Sequence, residues 1–179
     1  MEHITSDLHA YHKGVLQFCP KTRPYSSVEE MNEQMILAWN RIVQPQDTVW
    51  ILGDVSFGTT AQTYAWLSQL NGILKLVRGN HDGAMLKCSA CSSLFAEIHE
   101  YKEITVNKTK VCMFHYPILE WNACHRGSVL LHGHCHGDTT GLERYRALDV
   151  GVDATGIIVS PLVEIVERAK LGEIKKRTK

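Results

Sequence analysis

Short apolar runs alternate along this chain with longer stretches of helical period, and the runs end in polar residues. HITS near the start, TVWILGD at 48–54, GILKLVRGN at 72–80, KVCMFH at 110–115 and VLLHGHCH at 129–136 read as strands. Between the first two, SSVEEMNEQMILAWNRIV sets Val28, Met31, Met35, Ala38, Trp39 and Ile42 on one helical face, a stripe that reads as core. Ser27 and Glu30 form a capping box at its start. A second helix is predicted over 60–70, and EITVNKTKVCMFH reads as a hairpin turning at Asn107 and Lys108. GSVLLHGH and RYRALDV complete the strands, and Ser160 followed by Pro161 starts a last helix over VEIVERAK. Strands alternating with helices argue for an α/β layered domain.

A chain of 179 residues fits one domain, taken as 1–170, and is long enough to bury a core without disulfides or metals. Residues 171–179, ending in EIKKRTK, read as a basic, solvated tail. Lysine plus arginine equals aspartate plus glutamate at 19 each, so no overall field gathers long-duplex nucleic acid or an anionic membrane. The six cysteines, in a chain this long, read as reduced thiols. MEHITSDLHA lacks a basic start followed by an apolar stretch, and no run approaches a bilayer span, so a cytoplasmic protein of a cell or a virus is expected. Nothing in the chain speaks to oligomeric state.

LLHGHCHG, residues 130–137, holds three histidines around Cys135 and raises two alternatives: a self-contained zinc knot, or one corner of a larger site. The other runs end in the same chemistry: Asp7 and His9, then Asp54, then Asn80, His81 and Asp82, then His115. In open α/β sheets, sites are built at the carboxyl ends of strands. Asp7, His9, Asp54, Asn80, His115, His134 and His136 offer two carboxylates, four imidazoles and an amide oxygen, too many and too oxygen-rich for one structural zinc. They suit two divalent ions sharing a carboxylate and a hydroxide, about 3.5–4 Å apart, which stabilise both the attacking and the leaving oxygens of a displacement at phosphorus. Manganese, iron, zinc or nickel would accept such mixed ligands. The reaction class is then phosphate ester hydrolysis. Its leaving oxygen needs a proton, which His81 can supply, with Asp82 beside it to orient the ring.

D-x-H at 7–9, GD at 53–54, GNHD at 79–82, the lone His115 and GHxH at 133–136, in that order, are similar to the motifs of the calcineurin-like metallophosphoesterases. RPYSSVEEMNE, DTVWILGDVSFG and HYPILEW resemble segments of that family's small stand-alone bacterial and phage members, and DVGVD extends the likeness to residue 153. The resemblance implies a sandwich of two mixed β-sheets flanked by helices, with a dimetal site at strand carboxyl ends. It implies that Asp7, His9 and His136 hold one ion with a bridging Asp54, and that Asn80, His115 and His134 complete the other. It also gives His81 the role of donating to the leaving oxygen or to the phosphate.

The family's serine/threonine protein phosphatases carry an arginine-containing extension of GD, whereas GDVSFG has none. The chain also leaves no room for the extra domains of large repair nucleases. A phosphodiesterase acting on small, cyclic or linear nucleotide-like diesters is expected. A nuclease on short or single-stranded nucleic acid is the alternative, and a non-catalytic metal-bearing interaction module is the alternative of another class, against which His81 argues. His12, Arg78 and Trp121 are candidate substrate contacts. His132 is read as packed behind the ligands, Cys135 as a small buried residue turned away from them, and the Cys88/Cys91 pair as without a role.

Overall fold

The apolar runs become the strands of two sheets in a computed structural model that describes residues 1–176. In the first sheet β1 (Glu2–Thr5), β2 (Thr48–Ile51), β3 (Ile73–Val77) and β4 (Phe95–His99) are parallel neighbours, and β9 (Ser160–Pro161) adds antiparallel to β1. In the second, β5 (Tyr101–Val106) and β6 (Thr109–Phe114) form the expected hairpin, and β7 (Val129–His132) and β8 (Ala147–Asp149) extend it in parallel from β6. Asn107 and Lys108 both have positive φ, as a two-residue hairpin turn requires. The helices are α1 (Val15–Phe18), α2 (Val28–Ile42), α3 (Thr60–Leu67), α4 (Gly83–Leu86), α5 (Ser89–Ser92), α6 (Val152–Thr155) and α7 (Leu162–Ala169). Two mixed sheets with flanking helices are the expected architecture. Among the described residues, no helix is long and apolar enough to cross a membrane.

The unbroken hydrophobicity of VWIL follows from burial on both faces of β2. Val49 and Ile51 pack with Met31, Met35 and Trp39 of α2 and Trp66 of α3. Trp50 and Leu52 point the other way, into a cluster shared with Val111 and Met113 of β6, Val129 and Leu131 of β7, and Leu162 and Val166 of α7. This second cluster joins the sheets. The far face of the second sheet buries Cys112 and Leu130 under Trp121, Cys124 and Leu142.

Several local expectations change. Ser27 caps α2 by accepting from Glu30 N–H at 3.1 Å, but the Glu30 carboxylate returns to Ser26 N–H rather than to Ser27, and Ile42 is exposed. The last helix does start here, as α7 with Pro161 at its N-cap, and Ser160 and Pro161 also form the edge strand β9, where a missing N–H costs no ladder bond. The described part of the tail is mostly exposed, as expected, except at Lys175, which is buried, reaches Leu119 C=O, pairs with Glu120 at 3.0 Å and lies over the rings of Trp121 and Tyr145. Residues 177–179 of that tail lie outside the described residues.

Candidate metal centre

The carboxyl ends of β1, β2 and β3 from one sheet, and of β6 and β7 from the other, bring their polar residues together. Main-chain bonds stitch these loops: Asp7 N–H donates to Gly53 C=O and His9 N–H to Asp54 C=O, both at 3.0 Å, and Gly133 N–H to His115 C=O at 2.9 Å. Of the nine non-glycine residues with positive φ among the described residues, five are candidate ligands: Asp7, His9, Asp54, His134 and His136. Each such backbone costs on the order of 1–3 kcal/mol and persists only where its surroundings fix it, so strain is concentrated where side chains must turn inward. Gly133 permits the closest approach, since a Cβ there would collide with Ser6 Oγ and Asp7 Oδ2.

Asp7 and Asp54 are almost fully buried. Asp7 Oδ2 accepts from His134 N–H at 2.9 Å, while its Oδ1 has no hydrogen-bond partner among the described residues. Asp54 Oδ1 accepts from His81 N–H at 2.9 Å, and its Oδ2 stands 3.6 Å from His9 Nε2 and 3.7 Å from His115 Nε2. Three imidazoles have Nδ1 occupied on the far side. His115 Nδ1 donates to Leu52 C=O at 2.7 Å, His136 Nδ1 to Asp153 Oδ2 at 2.7 Å, and His9 Nδ1 meets His12 Nδ1 at 2.9 Å. A donor at Nδ1 leaves Nε2 as a lone pair. Those Nε2 atoms face the carboxylates: His9 Nε2 lies 3.8 Å and His136 Nε2 3.9 Å from Asp7 Oδ1.

Among the described residues three donor groups are compact enough to hold an ion: Cys19 with His136 and Asp153, Asp7 with His9 and His136, and, deepest, Asp7 with Asp54 and His115. Asn80 Oδ1, 2.9 Å from His115 Nε2, adjoins the last of these. His134 reaches Asp7 through its backbone, and its exposed ring stands beside Tyr116 and His115 at centroid distances of 4.7 and 5.2 Å. Asp7 Oδ1 and His9 Nε2 are buried and orphaned. A buried polar atom left unpaired costs about 1–3 kcal/mol, and a cation between these two relieves both. Burial opposes ionisation of Asp7 and Asp54, but the facing imidazoles of His9 and His115 outweigh it and hold both carboxyls below their ordinary value. Burial opposes protonation of His9, and those carboxylates outweigh it in turn. The donor set therefore fits divalent ions.

His81 is half exposed at the edge of the centre, with Nε2 4.0 Å from Asp54 Oδ2. Asp82 does not orient it, which corrects the sequence expectation. Its buried carboxylate accepts from Gly79 N–H at 2.7 Å, Asp54 N–H at 3.1 Å and Val55 N–H at 2.9 Å, clamping the GD turn to the GNHD loop. Burial raises the Asp82 carboxyl above its ordinary value. Arg78 is turned to Glu100 at 3.1 Å, and Trp121 is buried with Nε1 donating to Ser128 C=O at 3.3 Å, so neither is the substrate contact expected. His12 does stand at the centre, against His9 and stacked on Phe57 at 4.1 Å. His132 is buried and belongs to no metal-capable group among the described residues. Cys135 is half-buried in a cleft wall rather than packed away, because positive φ at His134 and His136 ends the extended alternation that would have turned it inward. Cys88 and Cys91 are free thiols in no such group.

Two residues of the centre have no counterpart in the sequence reading. Arg23 is 2 % exposed and reaches Asp7 C=O at 2.7 Å, Leu8 C=O at 3.1 Å and Asp153 Oδ1 at 2.8 Å. Asp153 passes this on to His136. Burial would raise the Asp153 carboxyl, but His136 and Arg23 hold it well below the ordinary range. The arginine of RPYSS and the last aspartate of DVGVD were visible only as parts of matching segments.

A family model described as the calcineurin-like phosphoesterase superfamily domain matches residues 3–149. A gene 66 protein of Mycobacterium phage L5 is 33% identical over 88% of each chain. An uncharacterized protein of Methanocaldococcus jannaschii is 28% identical, over 94% of this chain and 93% of its own. In the crystal structure of a protein of unknown function from Aquifex aeolicus, the same fold recurs with a TM-score of 0.73 and 23% identity, covering 94% of this chain and 98% of that one.

Proposed function

Because the chain belongs to the calcineurin-like phosphoesterase superfamily, metal-dependent phosphoester hydrolases that use two divalent ions, we propose that it is a phosphodiesterase acting on small diesters. The observation that carries the diester reading is the charge of the walls. Among the described residues lining the cleft at the centre there is no lysine or arginine. Arg23 and Arg78 are committed to Asp153 and Glu100. A diester brings one negative charge and a monoester up to two, so a site whose cations are the ions alone suits the diester.

In this reading Asp7, His9, His136 and Asp54 hold one ion, and Asp54, Asn80, His115 and His134 the other. When bound, the ions polarise the phosphoryl oxygens and lower the pKa of a bound water to about 7. The chain supplies the rest. Asp54 reaches toward His9 and His115 through Oδ2 and fixes the His81 loop through Oδ1. His81 Nε2 faces the centre from its open edge, where it donates a proton to the leaving oxygen. The neutral amide of Asn80 contributes a ligand without adding charge against an incoming phosphate.

Bis(p-nitrophenyl) phosphate is expected to be hydrolysed with added manganese, to stop being hydrolysed on chelation and to recover on re-addition. Its kcat/KM should exceed that of p-nitrophenyl phosphate. Faster monoester cleavage overturns the diester assignment, and turnover that survives chelation overturns the metal-dependent mechanism. Asp153→Asn keeps an acceptor for His136 Nδ1–H but gives up the charge paired with Arg23. Substitutions behind a ligand cost about 10–100-fold in metal affinity, and that loss is expected in a manganese titration followed by calorimetry. Titrations that superimpose on the parent's would remove Asp153 from this role.

A further inference from the structure

A cleft of about 400 Å³ opens beside the centre. Its lining includes His9, His134 and His136 of the centre, the apolar side chains of Val15 and Phe18, and the carboxylate of Asp138. Phe18 ends α1 and exposes 76% of its surface, which folding alone does not require of a large apolar ring. Gly14, just before α1, lets that ring and His12 come together at a centroid distance of 6.3 Å, since a Cβ there would lie 2.9 Å from His12 Nε2 and 3.0 Å from Phe18 Cε2. His81 is absent from the cleft wall. Its ring stands 6.3 Å from that of His9, whereas the His136 ring, inside the cleft, stands 4.7 Å from it.

We propose that this cleft binds the organic group that stays on phosphorus, and that it selects a flat aromatic group of the nucleobase kind, stacked on Phe18. The inference rests on the phosphodiesterase reading above. A proton donor must face the leaving oxygen, so with His81 outside the cleft the leaving group lies outside it too. The group retained in the product is then the one the cleft receives. A volume of about 400 Å³ lies within the range of small-molecule sites and exceeds what a methyl or ethyl ester would fill. The wall carries no lysine or arginine among the described residues, so it offers no grip on a further phosphate. An exposed phenylalanine ring offers a face to a base, and such stacking tolerates any base.

The test uses two diesters that release the same leaving group: the p-nitrophenyl ester of thymidine 5′-monophosphate, and methyl p-nitrophenyl phosphate. The parent should prefer the thymidine ester in kcat/KM. In Phe18→Ala and Phe18→Leu that preference should fall about tenfold, the scale of one lost stacking contact, and in Phe18→Trp it should be kept. Calorimetry on the manganese-loaded protein provides a second readout. The affinity for thymidine 5′-monophosphate relative to methyl phosphate should fall about tenfold in Phe18→Ala. A preference absent from the parent, or unchanged in Phe18→Ala and Phe18→Leu, overturns the proposal. Failure of both diesters to release p-nitrophenolate in a metal-dependent way overturns the phosphodiesterase reading instead.

Discussion

Asp54→Ala is expected to empty both halves of the centre and to cut diester hydrolysis by at least about three orders of magnitude, since the Lewis-acid contribution of bound ions is several kcal/mol and each 1.36 kcal/mol is tenfold. The geometry singles out this residue. Asp54 Oδ2 lies within 3.7 Å of both His9 Nε2 and His115 Nε2, so under the proposed assignment, in which both ions share Asp54, its removal takes a ligand from each. Its Oδ1 also ties down the GNHD loop at the His81 amide. Metal content by elemental analysis should fall from two ions per chain in the loaded parent to less than one. A readout independent of turnover comes from stability. A ligand that binds only the folded state stabilises it by about 2.7 kcal/mol at one hundred times its Kd, so manganese should raise the parent's denaturation midpoint and leave the variant's unmoved. The metal-free variant should still fold, because one of two crowded buried carboxylates has been removed. A variant that retains both ions would show that Asp54 is not shared between them.

The strand ends were readable because a buried strand announces itself by composition and its exit by the first polar residue. VWIL is apolar throughout because both of its faces are covered, and GD follows at once. β4 escaped because LFAEIH mixes charge with apolar residues, as suits the other edge strand of the first sheet. The arrangement beyond the strand ends was less accessible. Asp82 adjoins His81 in sequence, yet its carboxylate turns to three backbone amides, and nothing in GNHD distinguishes the two orientations. Arg23 and Asp153 are 130 residues apart and meet only because the loop after α1 and α6 both fold against Asp7 and His136. Trp121 has the composition of a substrate wall and the surroundings of a core residue; only packing separates the two.

His81→Ala should separate proton donation from metal binding, because it removes the imidazole and nothing that holds an ion. The group that ties residue 81 to Asp54 is its backbone N–H, at 2.9 Å, and alanine keeps it. The ring is half exposed, so deleting it opens no core cavity, and its Nε2 stands 4.0 Å from Asp54 Oδ2, at the rim of the donor set. Bound metal should therefore match the parent by elemental analysis. The loss in kcat should depend on the leaving group. Positioned acid catalysis is worth about 10²–10⁴-fold where the departing oxygen needs a proton, as the alkoxide of a dinucleotide does. p-Nitrophenolate departs without one, so bis(p-nitrophenyl) phosphate should lose much less. Two other outcomes carry different meanings. Equal losses on both substrates would give His81 a role in holding the phosphate rather than in protonating the leaving oxygen. A loss of metal in step with activity would mean that the imidazole, and not only the residue 81 amide, supports the centre.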